Sequence, residues 1–118
     1  MATSEERLPK RLSSERVLAF ANAVWKNNPS VAVVMAAKAS RMIKIAYEKT
    51  PAFFSGKSER GILSGLFYQL SLNTAYVKTQ KEIAVALATT EATARASHRS
   101  WIACFPDSFL EITKCEKS

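Results

Sequence analysis

The chain has 118 residues, of which 47% are hydrophobic, with only 3 glycines and 4 prolines. This size and composition predict one folded domain and exclude an intrinsically disordered chain. Its 17 lysines and arginines against 10 acidic residues give a net charge of +7, which favours a polyanionic partner and, equally, a well-solvated surface. Because no apolar run could span a membrane or form the centre of a signal peptide, we expect a soluble, intracellular protein.

The residue types needed for catalysis or metal binding do not cluster along the sequence. The one histidine, His98, lies in a helical segment between polar neighbours, which is typical of a structural histidine. Cys104 and Cys115 predict reduced thiols, since their number and spacing suit neither a disulfide framework nor a four-ligand zinc site. Residues 56–58 lack the earlier glycine of a phosphate-binding loop. We therefore expect no enzymatic activity, no cofactor and no metal.

Apolar residues at helical spacing predict five helices and no strand, which defines an all-α fold. The helical domain is expected at 13–106, between an N-terminal tail or linker at 1–12 and a C-terminal tail at 107–118. The predicted helices run from Ser13 or Ser14 to about Asn27, from Ser30 to near Lys49, from Ser58 onwards, for about ten residues after Thr79, and from Thr90 until Pro106 ends the last.

The second and third helices carry patterns that predict how they are exposed. Gly61 and Gly65 lie inside the third helix, although glycine there costs about 1 kcal/mol relative to alanine. That cost is tolerated where a neighbouring helix must approach closely, so we expect the third helix to be central. In the second helix, Lys38, Arg41 and Lys44 follow one another at three-residue steps and predict a solvated flank.

The fourth and fifth helices are short and closely joined, as in a helix-turn-helix. Thr79 and Glu82 predict a capping box for the fourth helix, and Thr90 predicts a cap for the fifth. The turn carries Ala88, where a glycine usually provides the left-handed conformation that costs alanine about 1 kcal/mol. Two short capped helices also pack at an angle in all-α proteins that bind no DNA, so this pattern alone leaves both interpretations open.

Two kinds of DNA contact are predicted for this pair of helices. In a helix-turn-helix, the N-terminal residues of the second helix reach base edges in the major groove. Arg95 can donate two hydrogen bonds to a guanine, Ala92 is small enough to meet a thymine methyl group, and Thr93 is the third predicted base contact. Contacts with backbone phosphates are predicted for Lys57, Lys78, Thr79, Lys81, Thr90 and Arg99.

Several segments resemble the C-terminal cyclin-like repeat of transcription factor IIB. Residues 78–83 (KTQKEI) and 90–95 (TEATAR) are similar to that family's signature of T-Q-K-E-I, a turn, and V-T-I-R. Residues 56–58 (GKS) resemble the G-R-S that opens the family's central helix, and residues 97–99 (SHR) resemble its closing S-Y-R. The likeness covers about residues 14–106 and implies a five-helix cyclin-like repeat with a central helix and a C-terminal helix-turn-helix.

The resemblance also implies a function. It indicates a general initiation factor that binds promoter DNA upstream of a TATA-like element, together with TATA-binding protein, and helps to recruit RNA polymerase. Arg95 matches the family's base-contacting arginine, whereas Ala92 replaces a contacting valine. Ala88 and Ala94 stand where the family has glycine and isoleucine, which indicates a divergent member. We expect a monomer that is nuclear in a eukaryote and cytoplasmic in an archaeon.

A second interpretation is a cyclin-type adapter, in which grooves between helices bind partner peptides and sequence-specific DNA binding is lost. The three alanines Ala88, Ala92 and Ala94 favour this interpretation. An unrelated helix-turn-helix regulator is the third, and it requires a dimer interface for which the sequence has no spare apolar stripe.

Overall fold

The computed structural model describes residues 12–72 and 74–117, with the side chains of 12–72 and 74–112. Over these residues the chain forms six α-helices, one short 3-10 turn and no β-strand, which confirms the all-α prediction. The elements are α1 (Ser14–Val24), α2 (Pro29–Lys49), the 3-10 turn (Pro51–Phe54), α3 (Glu59–Ser71), α4 (Gln80–Ala86), α5 (Glu91–Cys104) and α6 (Pro106–Lys117).

Side-chain caps set where the last helices of the predicted domain begin. The hydroxyl of Ser58 accepts the backbone N–H of Gly61 at 3.0 Å and starts α3. Thr79 and Glu82 form the predicted capping box of α4. The N–H of Thr79 donates to the Glu82 carboxylate at 2.9 Å, and the N–H of Glu82 donates to the Thr79 hydroxyl at 3.0 Å. Thr90 caps α5, so the predicted starts of these helices are confirmed.

α3 lies at the centre of the fold and packs against α1, α2, α4 and α5. The closest approach is that of α5, at Gly65. A Cβ atom on Gly65 would lie well under 3.0 Å from backbone atoms of Ser97 and His98, so the absence of a side chain is what allows the crossing. This confirms the central place expected for the third helix and the reason for the glycine inside it.

Trp101 fixes α5 against α3. Its side chain is fully buried, and its indole N–H donates to the carbonyl of Ile62 at 3.0 Å. A buried indole needs such a partner, because an unpaired N–H in the core is costly. The ring also packs against Phe53, Phe54 and Phe105. Position and rotation of α5 are therefore set by a hydrogen bond as well as by apolar packing.

The packed structure extends beyond both ends of the predicted domain at 13–106. Leu12, in the predicted N-terminal tail, is only 1% exposed, while residues 1–11 lie outside the described residues. At the other end, α6 occupies the segment predicted as a C-terminal tail and buries Phe109, so the described helices number six rather than five. Pro106 ends α5 and also takes the first position of α6, where its missing N–H is harmless.

The basic flank predicted on α2 is only partly solvated. Arg41 and Lys44 are exposed, but Lys38 is 8% exposed and lies among the buried residues of the helix. Successive residues of a helix turn by about 100°, so three-residue steps move around its surface. Lys38, the first residue of the series, therefore lies on the side of α2 that packs against the core, and the prediction of a solvated flank is wrong for it.

The turn between α4 and α5 is a Schellman motif. The N–H of Thr89 donates to the carbonyl of Ala84 at 2.9 Å, and the N–H of Ala88 donates to that of Val85 at 3.2 Å. Ala88 has a φ of 56°, which is the left-handed conformation. Glycine usually occupies this position of the turn because it adopts the left-handed conformation without strain. Ala88 adopts the same conformation at the steric cost of its Cβ atom.

Ala88→Gly should raise the free energy of unfolding by about 1 kcal/mol, because it removes the steric strain of a left-handed alanine. The matched control is Ala37→Gly, at an exposed position inside α2, which should lower the free energy of unfolding by about 1 kcal/mol. Urea unfolding followed by circular dichroism measures both changes. A loss of stability in Ala88→Gly as large as that in Ala37→Gly would contradict the strain at this turn.

Gly65→Ala should lower the free energy of unfolding by about 2 kcal/mol, although alanine favours a helix, because the methyl group meets the backbone of α5. The comparison is Gly61→Ala, whose nearest neighbours are side-chain atoms, the capping hydroxyl of Ser58 and the methyl group of Thr93, rather than the backbone of α5. It should cost less. Thermal or urea unfolding of the two variants gives the order, and equal losses would mean that the backbone crossing at Gly65 is not the limiting contact.

Candidate nucleic-acid interface

The exposed side of α5 is formed by Ala92, Arg95, Ala96 and Arg99, which we name the α5 face. These positions follow the spacing i, i+3, i+4, i+7 and therefore lie on one side of the helix. Trp101 is on the buried side and holds this surface outward. The α5 face combines two small side chains with two long cations, which lets the helix backbone approach a ligand closely while the guanidinium groups reach further.

Arg95 is available for a ligand at little cost. Its guanidinium lies 3.0 Å from the carboxylate of Glu91, one turn earlier on the same helix, and both side chains are about half exposed. An exposed ion pair at this spacing contributes about 0.3–0.5 kcal/mol. A bidentate contact between arginine and guanine contributes about 1–3 kcal/mol to discrimination between bases, so it would outweigh the pair with Glu91.

Thr93 lies on the flank of α5 that faces α3. Its methyl carbon Cγ2 is 3.1 Å from the position a Cβ on Gly61 would take, and its hydroxyl accepts the Thr90 hydroxyl at 2.9 Å. Ala94, next to it, is completely buried. The structure thus separates Thr93 from Ala92 and Arg95, the two residues with which the sequence groups it as a base contact.

Thr93 lines a cleft between the start of α3 and α5, which has a volume of about 430 Å³. We name it the serine cleft, and it is lined chiefly by Lys57, Ser58, Thr93, Ser97 and Ser100. The Lys57 ammonium donates to the carbonyl of Phe53 and lies 4.6 Å from the centre of that ring. Since an ammonium has three N–H donors, Lys57 is anchored here and still has donors for a phosphate.

Lys78 and Lys81 line a second depression, between the end of α1 and α4, with a volume of about 690 Å³. We name it the lysine groove. Lys26 joins them there, although it follows α1 and no local sequence pattern connects it with α4. Lys78 and Lys81, two of the lysines predicted to hold phosphates, therefore lie in a groove that also contains Lys26, a cation that the sequence does not predict there.

The two capping threonines differ in what remains available for a phosphate. The Thr79 hydroxyl accepts the N–H of Glu82 and retains its own hydrogen as a donor. The Thr90 hydroxyl accepts the N–H of Thr93 and donates its hydrogen to the Thr93 hydroxyl. Arg99 is exposed on the α5 face. Of the two capping threonines, Thr90 is therefore the one whose hydroxyl hydrogen already has a partner within the protein.

His98 is a packed histidine between α3 and α5, as the sequence indicates. Its Nε2 atom lies 2.7 Å from Oε1 of Gln69, and its ring meets that of Tyr68 edge-on with centroids 4.8 Å apart. Because an amide oxygen only accepts, Nε2 carries the hydrogen. Burial removes water from the ring and lowers the pKa of His98 below its ordinary value, which favours the neutral form.

In the part of the chain that the structure describes, no cluster of three or more histidine, cysteine or acidic side chains is arranged to hold a metal ion. Across the same residues, no helix combines the length and apolar character needed to cross a membrane. Cys104 is a free cysteine on the surface, whereas the side chain of Cys115 lies outside the described residues.

Comparison with protein-family models, with curated proteins and with solved structures gives no match for this chain. The likeness to the factor-IIB repeat therefore stays a prediction from the motifs in the sequence.

The free energy of unfolding should fall as the pH is lowered from about 7.5 to 5.5. The unfolded chain has a histidine with an ordinary pKa of about 6.5, and the folded chain has a lower one. The unfolded state therefore binds the proton more readily, and it gains population as the pH falls through this window. Urea unfolding at a series of pH values measures the slope.

His98→Gln should reduce that slope, since the sequence contains no other histidine. The comparison uses the pH dependence and not the absolute stability, because the substitution also alters packing against Tyr68. Identical slopes in the wild-type and variant proteins would contradict the lowered pKa.

Proposed function

We propose that this chain is a non-catalytic DNA-binding module of the factor-IIB type, which binds promoter DNA with TATA-binding protein and helps to recruit RNA polymerase. The observation that carries the proposal is the α5 face, with arginines at 95 and 99 and alanines at 92 and 96. In a helix-turn-helix, a surface of this kind suits the major groove, where small side chains allow close approach and arginine pairs with guanine.

The turn before α5 supports the proposal. In the family that the sequence resembles, a glycine occupies this turn, and its replacement by Ala88 counts against a working helix-turn-helix. Ala88 nevertheless adopts the left-handed conformation, with a φ of 56°, and both hydrogen bonds of the Schellman motif are present. The angle between α4 and α5 therefore does not require glycine in this chain.

The cations around α5 support a phosphate-binding surface. Lys57 lies beside the start of α3, while Lys78 and Lys81 lie at α4, and both of these helices pack against α5. Contacts of this kind carry no sequence information, but they hold a recognition helix in register on the duplex. Together with the net charge of +7, they give a polyanion several points of attachment around the α5 face.

The protein partners enter the proposal only through the resemblance. TATA-binding protein and RNA polymerase are the partners of the factor-IIB family, and the α5 face bears on DNA alone. The adapter interpretation would be favoured by an apolar groove with neutral surroundings. The lysine groove instead contains three lysines, which favours a polyanion or an acidic partner over a neutral one.

Arg95→Ala should weaken binding to a preferred duplex by about 1–3 kcal/mol and reduce the preference between sequences, because it removes a base contact. Lys81→Ala should weaken all duplexes alike and reduce the salt slope by about one, because it removes a phosphate contact. Arg41→Ala is the matched control, since Arg41 is exposed on α2 and lies in none of the three surfaces. Mobility-shift titration against promoter duplexes of about 20 base pairs, at several salt concentrations, measures these effects.

Two results would count against the proposal. Wild-type protein that does not bind at low salt, or whose affinity is insensitive to salt, would exclude the phosphate contacts. Equal effects of Arg95→Ala and Lys81→Ala on every duplex would exclude base reading by the α5 face and leave only non-specific binding.

A further inference from the structure

The lysine groove combines exposed apolar surface with positive charge. Val85 in its lining is 71% exposed, the largest exposure among the bulky apolar side chains described. Ala23, Val24 and Ala86 provide the rest of its apolar lining. Just before α4 along the chain, Val77 is 51% exposed. Apolar surface left open beside cations is typical of a binding site, whereas isolated exposed valines are ordinary.

The two walls of the groove are tied together within the fold. Trp25, at the end of α1, is almost fully buried and donates its indole N–H to the carbonyl of Tyr76 at 3.0 Å. This bond joins α1 to the segment that leads into α4, and the capping box at Thr79 then fixes the start of that helix. The groove is thus held open before any ligand arrives, which lowers the entropic cost of binding.

The charge of the groove favours an acidic ligand. Among the described residues that line the groove, Lys26, Lys78 and Lys81 stand against a single carboxylate, that of Glu82. This carboxylate accepts the backbone N–H of Thr79, which lowers the pKa of Glu82 and keeps it ionised, but its oxygen is directed to the start of its own helix. Three cations consequently face one anion that is already hydrogen-bonded.

A nucleic-acid backbone satisfies only part of this surface. Phosphates pair with lysines, but they offer little apolar surface to cover Val85 and Ala86. A peptide that has carboxylates and large apolar side chains can pair with the lysines and also cover the apolar surface, in the way that amphipathic segments bind grooves between helices. We propose that the lysine groove binds an acidic peptide segment of a partner protein, which packs an apolar side chain on Val85 and places carboxylates at Lys26, Lys78 and Lys81.

This proposal goes beyond DNA binding and shares Lys78 and Lys81 with it. The two functions are separated by Val85 and Lys26, which lie in the groove and outside the α5 face and the serine cleft. Substitution there tests the groove alone. Val33 provides a matched control, because it is 56% exposed on α2 and does not line the groove.

The probe is a fluorescein-labelled peptide of about 14 residues with aspartate on one helical face and leucine on the other. Fluorescence anisotropy measures its affinity for the full chain. Val85→Asp should weaken binding about tenfold, because it removes an apolar contact and adds a repelling charge, and Lys26→Glu should weaken it about fivefold. Val33→Asp should bind as the wild type does. Circular dichroism confirms folding, and Lys26→Gln serves as a milder second variant.

Two further peptides and a titration with duplex DNA show whether charge, apolar contact and DNA binding can be separated. Replacing each aspartate by lysine, or each leucine by serine, should abolish binding. Val85→Ser removes the apolar contact without adding a charge beside Lys78 and Lys81, so it should weaken the peptide and leave the affinity for duplex DNA unchanged. Failure of DNA binding and failure of the groove are therefore distinguishable. The proposal is overturned if the leucine-free peptide binds as well as the parent, if Val85→Asp behaves like Val33→Asp, or if Val85→Ser weakens DNA as much as peptide.

Discussion

The close crossing of α3 and α5 at Gly65 is the contact on which the rest of the structure depends. Any side chain at this position would collide with the backbone of α5 at Ser97 and His98. Once the helices approach this closely, Trp101 can donate to the carbonyl of Ile62, and the rotation of α5 about its own axis is set. That rotation decides which side chains are buried. A glycine in the central helix therefore determines which surface α5 presents.

α4 is positioned by local interactions at both of its ends. With seven residues it is far too short to be stable alone, since isolated helices shorter than about 12 residues are marginal in water. The capping box at Thr79 holds its start, the Schellman motif at Ala88 holds its end, and Ile83 fixes its middle in the core. Because α4 carries Lys81, the geometry of the proposed phosphate contacts and of the lysine groove depends on these local interactions.

Features with local causes could be predicted from the sequence, and those with long-range causes could not. Caps, helix periodicity and the glycine at the crossing each leave a signature within a few residues. Pro106 gives the same signal for the end of one helix and the start of the next, so the sequence does not distinguish α6 from a tail. Thr93 lies four residues before Ser97 and therefore on the same side of α5, the side that faces α3. Lys26 joins α4 only through tertiary packing, and no sequence pattern reveals it.

The proposed function requires that the α5 face is the surface that meets DNA, with the neighbouring lysines holding the DNA backbone. Titration of ¹⁵N-labelled protein with a promoter duplex at low salt, followed by two-dimensional NMR, tests it most directly. This contact should place the largest amide shifts at residues 91–99, with smaller shifts at 78–82 and around Lys57, while α2 and α6 stay unchanged. Shifts concentrated on α2 or α6, or none at any DNA concentration, would contradict it.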